Sequence, residues 1–318
     1  MTDRVLVTGG AGFIGSHVCE TLCREGREVV VLDNLVTGSL DNLTGLDVNF
    51  VAGSVANYAD VEKAMNGVNK VVHLAALPSV ARSLERPLDT HEACATGTVN
   101  VLQAANLGGA RVVYAGSSSA YGNQEAKQKH ELLREDPLSP YSAAKLAGEL
   151  YCRTFARVFD MNVVVTRFFN VFGPRQPADS MYSGVIAAFC RGLILGKEVR
   201  IEGDGGQGRD FTYVEDLVTG VLQCLDADSS GCETVNLAYG DSCTVLELYE
   251  LLSKFTSEQL PNQVIPDPKR LPPRTGDVRH SMADVTRAKE RFGFAPTVGF
   301  AEGLERTFAW YRTQFGSE

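Results

Sequence analysis

The sequence has no excess of basic charge: 30 Lys and Arg stand against 39 Asp and Glu, a formal net charge of -9 at pH 7. No basic field therefore draws the chain to nucleic acid or to an anionic membrane. Any anionic ligand has to be held by a few local arginines or by backbone N–H groups. No apolar run approaches the ~20 residues of a membrane span. The first one, Val5-Leu6-Val7, is too short for the core of a signal peptide. The eight cysteines, Cys19, Cys23, Cys94, Cys152, Cys190, Cys224, Cys232 and Cys243, form no CxxC pair and have no histidine at zinc spacing. No metal is expected, and the thiols read as reduced in a cytosolic protein. A hydrophobic fraction of 44% with 22% charged residues argues against disorder and fibrous architecture.

With 318 residues, the chain exceeds the ~100 to 200 of a usual domain, so two domains or one large composite is expected. Short β-rich runs at Arg4 to Thr8, Glu28 to Asp33, Asn49 to Val51, Lys70 to Leu74, Arg111 to Gly116 and Asn162 to Phe168 alternate with helical patterns. The helical runs are His17 to Glu25, Tyr58 to Asn66, Thr90 to Asn106 and Ser142 to Phe159. That rhythm predicts an α/β fold of βαβ units around a parallel sheet. From about Gly173 prolines and the glycines of 203–206 break the pattern, which divides the chain into 1–172 and a smaller region, 173–318. A strand at Glu233 to Leu237 is expected to rejoin the sheet and interleave the two. Five prolines within Pro261 to Pro273 predict an extended segment.

After the first strand comes Gly9-Gly10-Ala11-Gly12-Phe13-Ile14-Gly15, leading straight into a helical run. Glycines there permit a tight turn and close backbone approach to a pyrophosphate, while the helix N-terminus supplies N–H donors. The second strand ends at Asp33, where a carboxylate can accept bonds from both hydroxyls of an adenosine ribose and would repel a 2′-phosphate. The pattern points to a dinucleotide, NAD in preference to NADP, in a Rossmann, doubly wound sheet.

Tyr141 and Lys145 are four apart at the start of a helical pattern and share one face. A Lys⁺ beside a phenol favours the phenolate and makes the tyrosine a usable general base. Upstream, Ser117-Ser118-Ser119 follows a strong strand, where an open α/β sheet presents residues to its ligand crevice. These hydroxyls can bond a sugar hydroxyl and exchange a proton with the tyrosine.

Together the segments resemble the extended short-chain dehydrogenase/reductase family, the sugar-nucleotide epimerases and dehydratases. The resemblance covers nearly the whole chain: TGGAGFIG at 8–15, LDN at 32–34, HLAA at 73–76, SSSAYG at 117–122, YSAAK at 141–145, RFFNVFGPRQ at 167–176, GDGGQGRDFTYVEDL at 203–217 and RTGDVRHSMADVTRAK at 274–289. It implies a Rossmann domain holding NAD, a smaller C-terminal domain holding a UDP-sugar, and a homodimer packed through two helices per subunit. The implied activity is 4-epimerisation of a UDP-hexose. Carried over by position, Ser117, Tyr141 and Lys145 are catalytic. Gly9, Gly12, Phe13, Ile14, Gly15, Asp33, Asn34, Gly38, Ser54, Val55, Leu74, Ala75, Ala76, Tyr141, Lys145 and Phe168 contact the cofactor. Ser79, Ser117, Ser118, Tyr141, Asn170, Val185, Arg209, Arg274, Asp277 and Ser281 contact the substrate.

The chain departs from the family pattern at Ser54, usually an aspartate facing the adenine amine, at Cys94, usually an asparagine, and at Pro78, where some relatives have a lysine. The resemblance also implies that Ser281, seven residues beyond Arg274, stands where side-chain bulk decides whether an N-acetyl group fits. Its small size favours UDP-GlcNAc and UDP-GalNAc, with UDP-Glc and UDP-Gal as further substrates. Two rivals remain: a dehydratase or decarboxylase of the same family, which Ser118-Ser119 disfavours because carboxylates are usual there, and a non-catalytic NAD-binding module.

Overall fold

The computed structural model describes residues 3–178, 183–273 and 279–316. Seven strands form one parallel sheet: β1 (Arg4–Thr8), β2 (Glu28–Asp33), β3 (Val48–Ala52), β4 (Lys70–His73), β5 (Arg111–Ser117), β7 (Val163–Phe168) and β12 (Cys232–Leu237). Their spatial order is β12-β7-β5-β4-β1-β2-β3. A second sheet joins four short strands, β6 (Gln128–Lys129), β10 (Gly208–Arg209), β13 (Cys243–Thr244) and β15 (His280–Ala283), in the order β13-β10-β15-β6. Strand β8 (Val171–Phe172) pairs with β11 (Thr212–Tyr213), and β9 (Arg200–Glu202) with β14 (Lys269–Leu271).

Alternation along the central strands explains the layers. Val5, Val7, Val29 and Val31 pack with helices α1 (Phe13–Arg24) and α8 (Val214–Asp226), whereas Leu6, Val30 and Leu32 face α2 (Tyr58–Ala64), α5 (Gly97–Gly108) and α6 (Pro140–Phe159). Both faces are covered, so the strands are apolar almost throughout rather than half polar. A third apolar cluster lies among α7 (Val185–Ile194), α9 (Val245–Gln259) and α11 (Phe300–Phe315). The remaining helices are α3 (Val80–Glu85), α4 (Pro87–His91) and α10 (Thr286–Phe292). No helix of the described residues is long and apolar enough to cross a membrane.

The structure corrects one helix. Thr90 to Asn106 reads as a continuous run, but the chain folds as α4, a π-helical turn over Glu92–Thr96, and then α5. The Thr98 hydroxyl donates to the Cys94 carbonyl at 2.6 Å inside this turn. A π turn inserts one residue without ending the helix, so apolar periodicity passes through it nearly undisturbed.

Helix α6 is fixed to the sheet by buried charge. Arg167 of β7 has a wholly buried side chain and donates through Nε and Nη2 to Glu149 of α6, at 3.0 and 2.6 Å. Glu135 accepts from Arg167 at 2.7 Å and from Arg153 at 2.9 Å, and Arg153 also binds Glu149. Burial opposes the charge on Arg167, but the Glu149 carboxylate outweighs it and raises the guanidinium pKa. Removing one member of such a cluster leaves an uncompensated charge in the interior. Glu149→Ala is expected to destabilise the fold by about 3–5 kcal/mol, read by chemical denaturation; a loss below about 1 kcal/mol, the value of a surface pair, would refute this account.

Candidate active site

Chain order reverses between β1 and β4, with β2 and β3 to one side and β5, β7 and β12 to the other. In open α/β sheets the crevice beyond the strand ends at such a point is where ligands bind. Gly9 turns the chain out of β1 at φ +72, and Gly12 stands at the N-terminus of α1. A Cβ on Gly15 would lie 2.1 Å from the Gly9 carbonyl oxygen, and one on Gly9 2.9 Å from the Ala75 nitrogen. Only glycine permits these approaches. No side chain caps α1, and its first turn, with Phe13 and Ile14, carries no acidic residue. The positive end of the helix dipole is thus open to a phosphate.

Asp33 ends β2 with its carboxylate buried against this turn. One oxygen accepts from the Ala11 N–H at 3.0 Å, the other from the Leu35 N–H at 2.8 Å. Each keeps lone-pair capacity for a ribose hydroxyl. Gly38 lies against Ala11, where a Cβ would be 2.8 Å from the Ala11 carbonyl carbon. Asn34 is exposed and accepts from the Val36 N–H at 3.2 Å. Ser54 spends its hydroxyl on the Ala56 N–H at 3.2 Å, while its own N–H reaches Asp60 at 2.9 Å. Val55 is core, with its side chain toward Gly97, so a cofactor could meet only its backbone. Leu74, Ala75 and Ala76 continue β4 half-buried, and the Leu74 and Ala75 N–H groups bond the carbonyl and hydroxyl of Thr8 at 3.1 and 3.2 Å. Uncapped helix end, glycine turn and strand-end carboxylate together fit a dinucleotide. Among the described residues no group of three His, Cys, Asp or Glu is placed to hold a metal ion.

At the end of β5, Ser117 lies opposite Phe168 of β7, and its hydroxyl is 2.8 Å from that of Ser119. Ser118 is half-buried beside it. Helix α6 starts sharply: Ser139 caps it, Ser142 returns the bond to the Ser139 N–H at 2.9 Å, and Pro140 occupies the first turn. Tyr141 and Lys145 follow on the inner face. Burial pushes the Tyr141 phenol pKa up, the Cys94 thiol adds to that, and the facing Ser117 hydroxyl opposes it. Burial lowers the pKa of Lys145. The depressed phenol pKa expected from the YxxxK spacing is therefore corrected: in the protein alone, desolvation of the phenolate dominates, and the Lys145 ammonium lies over the Tyr114 ring, 4.5 Å from its centroid.

The expected substrate residues divide. Asn170 adopts φ +27 and donates to the Asp210 carbonyl at 2.9 Å, while Arg209 pairs in register with Ser281 across β10 and β15. Arg209, Ser281 and Asn170 thus surround one buried residue, Asp210. Ser79 caps α3 by accepting from the Arg82 N–H at 3.1 Å, and Val185 opens α7. Arg274 and Asp277 lie outside the described residues.

Comparison with known proteins decides the family. The chain matches the NAD dependent epimerase/dehydratase family over residues 5–265. It belongs to that family. A UDP-glucose 4-epimerase of Mycolicibacterium smegmatis is 35% identical over 98% of this chain and 99% of its own length. A UDP-N-acetyl-alpha-D-glucosaminuronate decarboxylase of Bacillus cytotoxicus is 32% identical over 98% of both. Among solved structures, a UDP-N-acetylglucosamine 4-epimerase from Methanobrevibacter ruminantium, in complex with UDP-N-acetylmuramic acid, superposes with a TM-score of 0.90 at 33% identity, over 99% of this chain and 100% of that one.

Within this family member, sequence reasoning passed over two organising residues. Asp210 accepts from the Tyr239, Gly240 and Ala283 N–H groups at 3.0, 3.0 and 3.1 Å, and burial pushes its pKa up to about 7. Its position beside Arg209 in the GRDF motif was the available signal. Buried His73, its pKa lowered to about 3 by burial, bridges the hydroxyls of Thr8 and Thr98 at 2.7 and 3.0 Å. Only its place in HLAA pointed to it. Because Asp33 also holds the Ala11 N–H, Asp33→Ala is expected to weaken NAD binding about 10-fold or more and to narrow the preference over NADP, as read by calorimetry. Equal affinities for both cofactors in the unaltered protein would overturn the role.

Proposed function

We propose that the protein interconverts the C4 epimers of a UDP-hexose, with UDP-GlcNAc and UDP-GalNAc as its first substrates. What supports this reading is the Ser117 hydroxyl facing the Tyr141 phenol, with Lys145 one turn on along α6, beside the glycine turn and Asp33 that fit the cofactor. NAD, the family's cofactor, supplies reversible hydride acceptance when bound. Gly9, Gly12, Gly15 and the N-terminus of α1 would hold its pyrophosphate, and Asp33 its adenosine ribose.

Tyr141 Oη takes the proton from the sugar 4-hydroxyl and later returns it. Ser117 Oγ bonds that hydroxyl and steadies the Tyr141 phenolate before it takes the proton and again once the proton is returned, which the burial of the phenol makes necessary. Lys145 supplies the positive charge that the phenolate lacks. A 4-keto sugar that turns over before reduction inverts C4, so the grip has to be on the UDP and not on the hexose. Arg209 and Arg274 suit that task because guanidinium forks match phosphate oxygens; Asp277, Asn170, Ser79 and Val185 would complete the pocket.

A decarboxylase relative keeps the lyase reading alive, but positions 118 and 119 are serines where elimination wants carboxylates. The exposed Leu84, Leu88, Leu150 and Tyr151 on α3, α4 and α6 support a homodimer, which light scattering on the purified chain tests.

Incubation with UDP-GlcNAc and NAD, followed by NMR, is expected to yield UDP-GalNAc. Tyr141→Phe should lower the rate at least ~100-fold while NAD stays bound. A keto sugar or a decarboxylated product from a uronate would favour the lyase, and no conversion of any UDP-hexose would favour the non-catalytic module. Ser281→Tyr should abolish turnover of the N-acetylated pair by steric exclusion and spare UDP-Gal. Equal loss on both would remove Ser281 as the determinant.

A further inference from the structure

Lys145 presents a physical problem. Its side chain is buried, and among the described residues no carboxylate pairs with its ammonium. The groups facing it are the thiol of Cys152 on the same helix, the thiol of Cys94 in the π turn, the imidazole of His73 from β4, and Tyr114 from β5, with Tyr141 one turn before it on α6. None carries a full negative charge in its ordinary state, and burial keeps His73 neutral.

Tyr114 meets Lys145 twice. The ammonium nitrogen lies over its ring at 4.5 Å from the centroid, and its hydroxyl donates to the Lys145 carbonyl at 2.9 Å. One fully buried side chain therefore holds both ends of the lysine. Gly148 supports the point independently: a Cβ there would lie 2.4 Å from the Tyr114 hydroxyl oxygen and 3.1 Å from that of Thr98. Glycine is among the poorest residues for a helix interior, so α6 accepts a weak helix former where the Tyr114 hydroxyl needs room. His73 packs beside it, its ring 5.6 Å from that of Tyr114 and its Nε2 bonded to Thr98.

We propose that Tyr114 is a positioning residue for the reaction proposed above, on which this inference rests: its ring face stabilises the buried Lys145 ammonium in place of a carboxylate, and its hydroxyl fixes the helical turn from which Lys145 projects. A ring quadrupole suits this site better than a carboxylate would. It stabilises the cation without neutralising it, so the charge remains available to the Tyr141 phenolate.

The test varies the ring at constant shape. In the full-length protein, Tyr114→Phe keeps the ring and loses the hydroxyl, and 3,4,5-trifluorophenylalanine at the same position keeps the shape but weakens the ring's negative face. The lysine ε-carbon, observed by NMR after ¹³C-lysine labelling and assigned with Lys145→Met, reports the titration of Lys145 without reference to turnover. Against Tyr114→Phe, the fluorinated protein should titrate Lys145 lower by about half to one pH unit. The alkaline limb of kcat should move down by the same amount, with KM for the UDP-sugar within about 2-fold. Coincident titrations of the two proteins would overturn the proposal, as would a lowered titration with an unmoved kcat profile. If Lys145 titrates as expected while no UDP-hexose is epimerised by the unaltered protein, the 4-epimerase reading fails and the ring's hold on the ammonium stands.

Discussion

The rest of the molecule depends on the reversal of strand order between β1 and β4. Parallel strands carry their helices on the two faces, and a reversal leaves a gap beyond the strand ends that no crossover covers. At it the ends of β1, β4, β5 and β7 bring the glycine turn, the buried Thr8–His73 pair, Ser117 and Phe168 together. Asp33 enters from β2, next to β1, and its bond to the Ala11 N–H joins the two strand ends. Each of these residues has an independent local reason for its conformation, but their proximity has only this one.

A second joint attaches the C-terminal half. Asp210 receives N–H groups from the loop after β12 and from β15, and its own backbone bonds the Ser281 carbonyl at 2.7 Å and the Asn170 amide. Three segments distant in sequence thereby converge on Arg209. Three donors favour the carboxylate and burial opposes it, and burial prevails enough to bring the pKa up to about 7. Apolar packing adds to this joint: Leu217 and Val221 of α8, Val235 of β12 and Phe292 of α10 share one cluster with Val5 and Val7 of β1, while α7, α9 and α11 form a separate one.

The face of α6 that carries Tyr141 and Lys145 is held by charge on one side and by a ring on the other. Glu149 binds Arg167 of β7 one turn beyond Lys145, and Tyr114 of β5 receives the lysine itself. Two adjacent strands therefore set both the rotation of the helix and the height of its side chains. Burial of this face also raises the phenol pKa and lowers that of the ammonium.

Much of this was legible from residue order. The glycine run, Asp33, the Tyr141–Lys145 spacing and the serines after β5 are local signals, because turn geometry and helical periodicity operate over a few residues. Alternation of strands and helices likewise determined an α/β sheet. What the linear pattern could not carry was any property that arises from desolvation or from contact between distant segments. The π turn at Glu92–Thr96 preserved apolar periodicity and so left no trace. Val55 matched a cofactor position but turned into the core toward Gly97. Spacing placed Lys145 one turn from Tyr141, but it could not show that the folded protein buries the lysine and lays its ammonium over Tyr114, a residue that reads in sequence as one more apolar position of a strand. Sequence determined which groups are available and on which local face. The tertiary structure decided their charge states and partners, since both depend on how much water and which distant side chains remain around them.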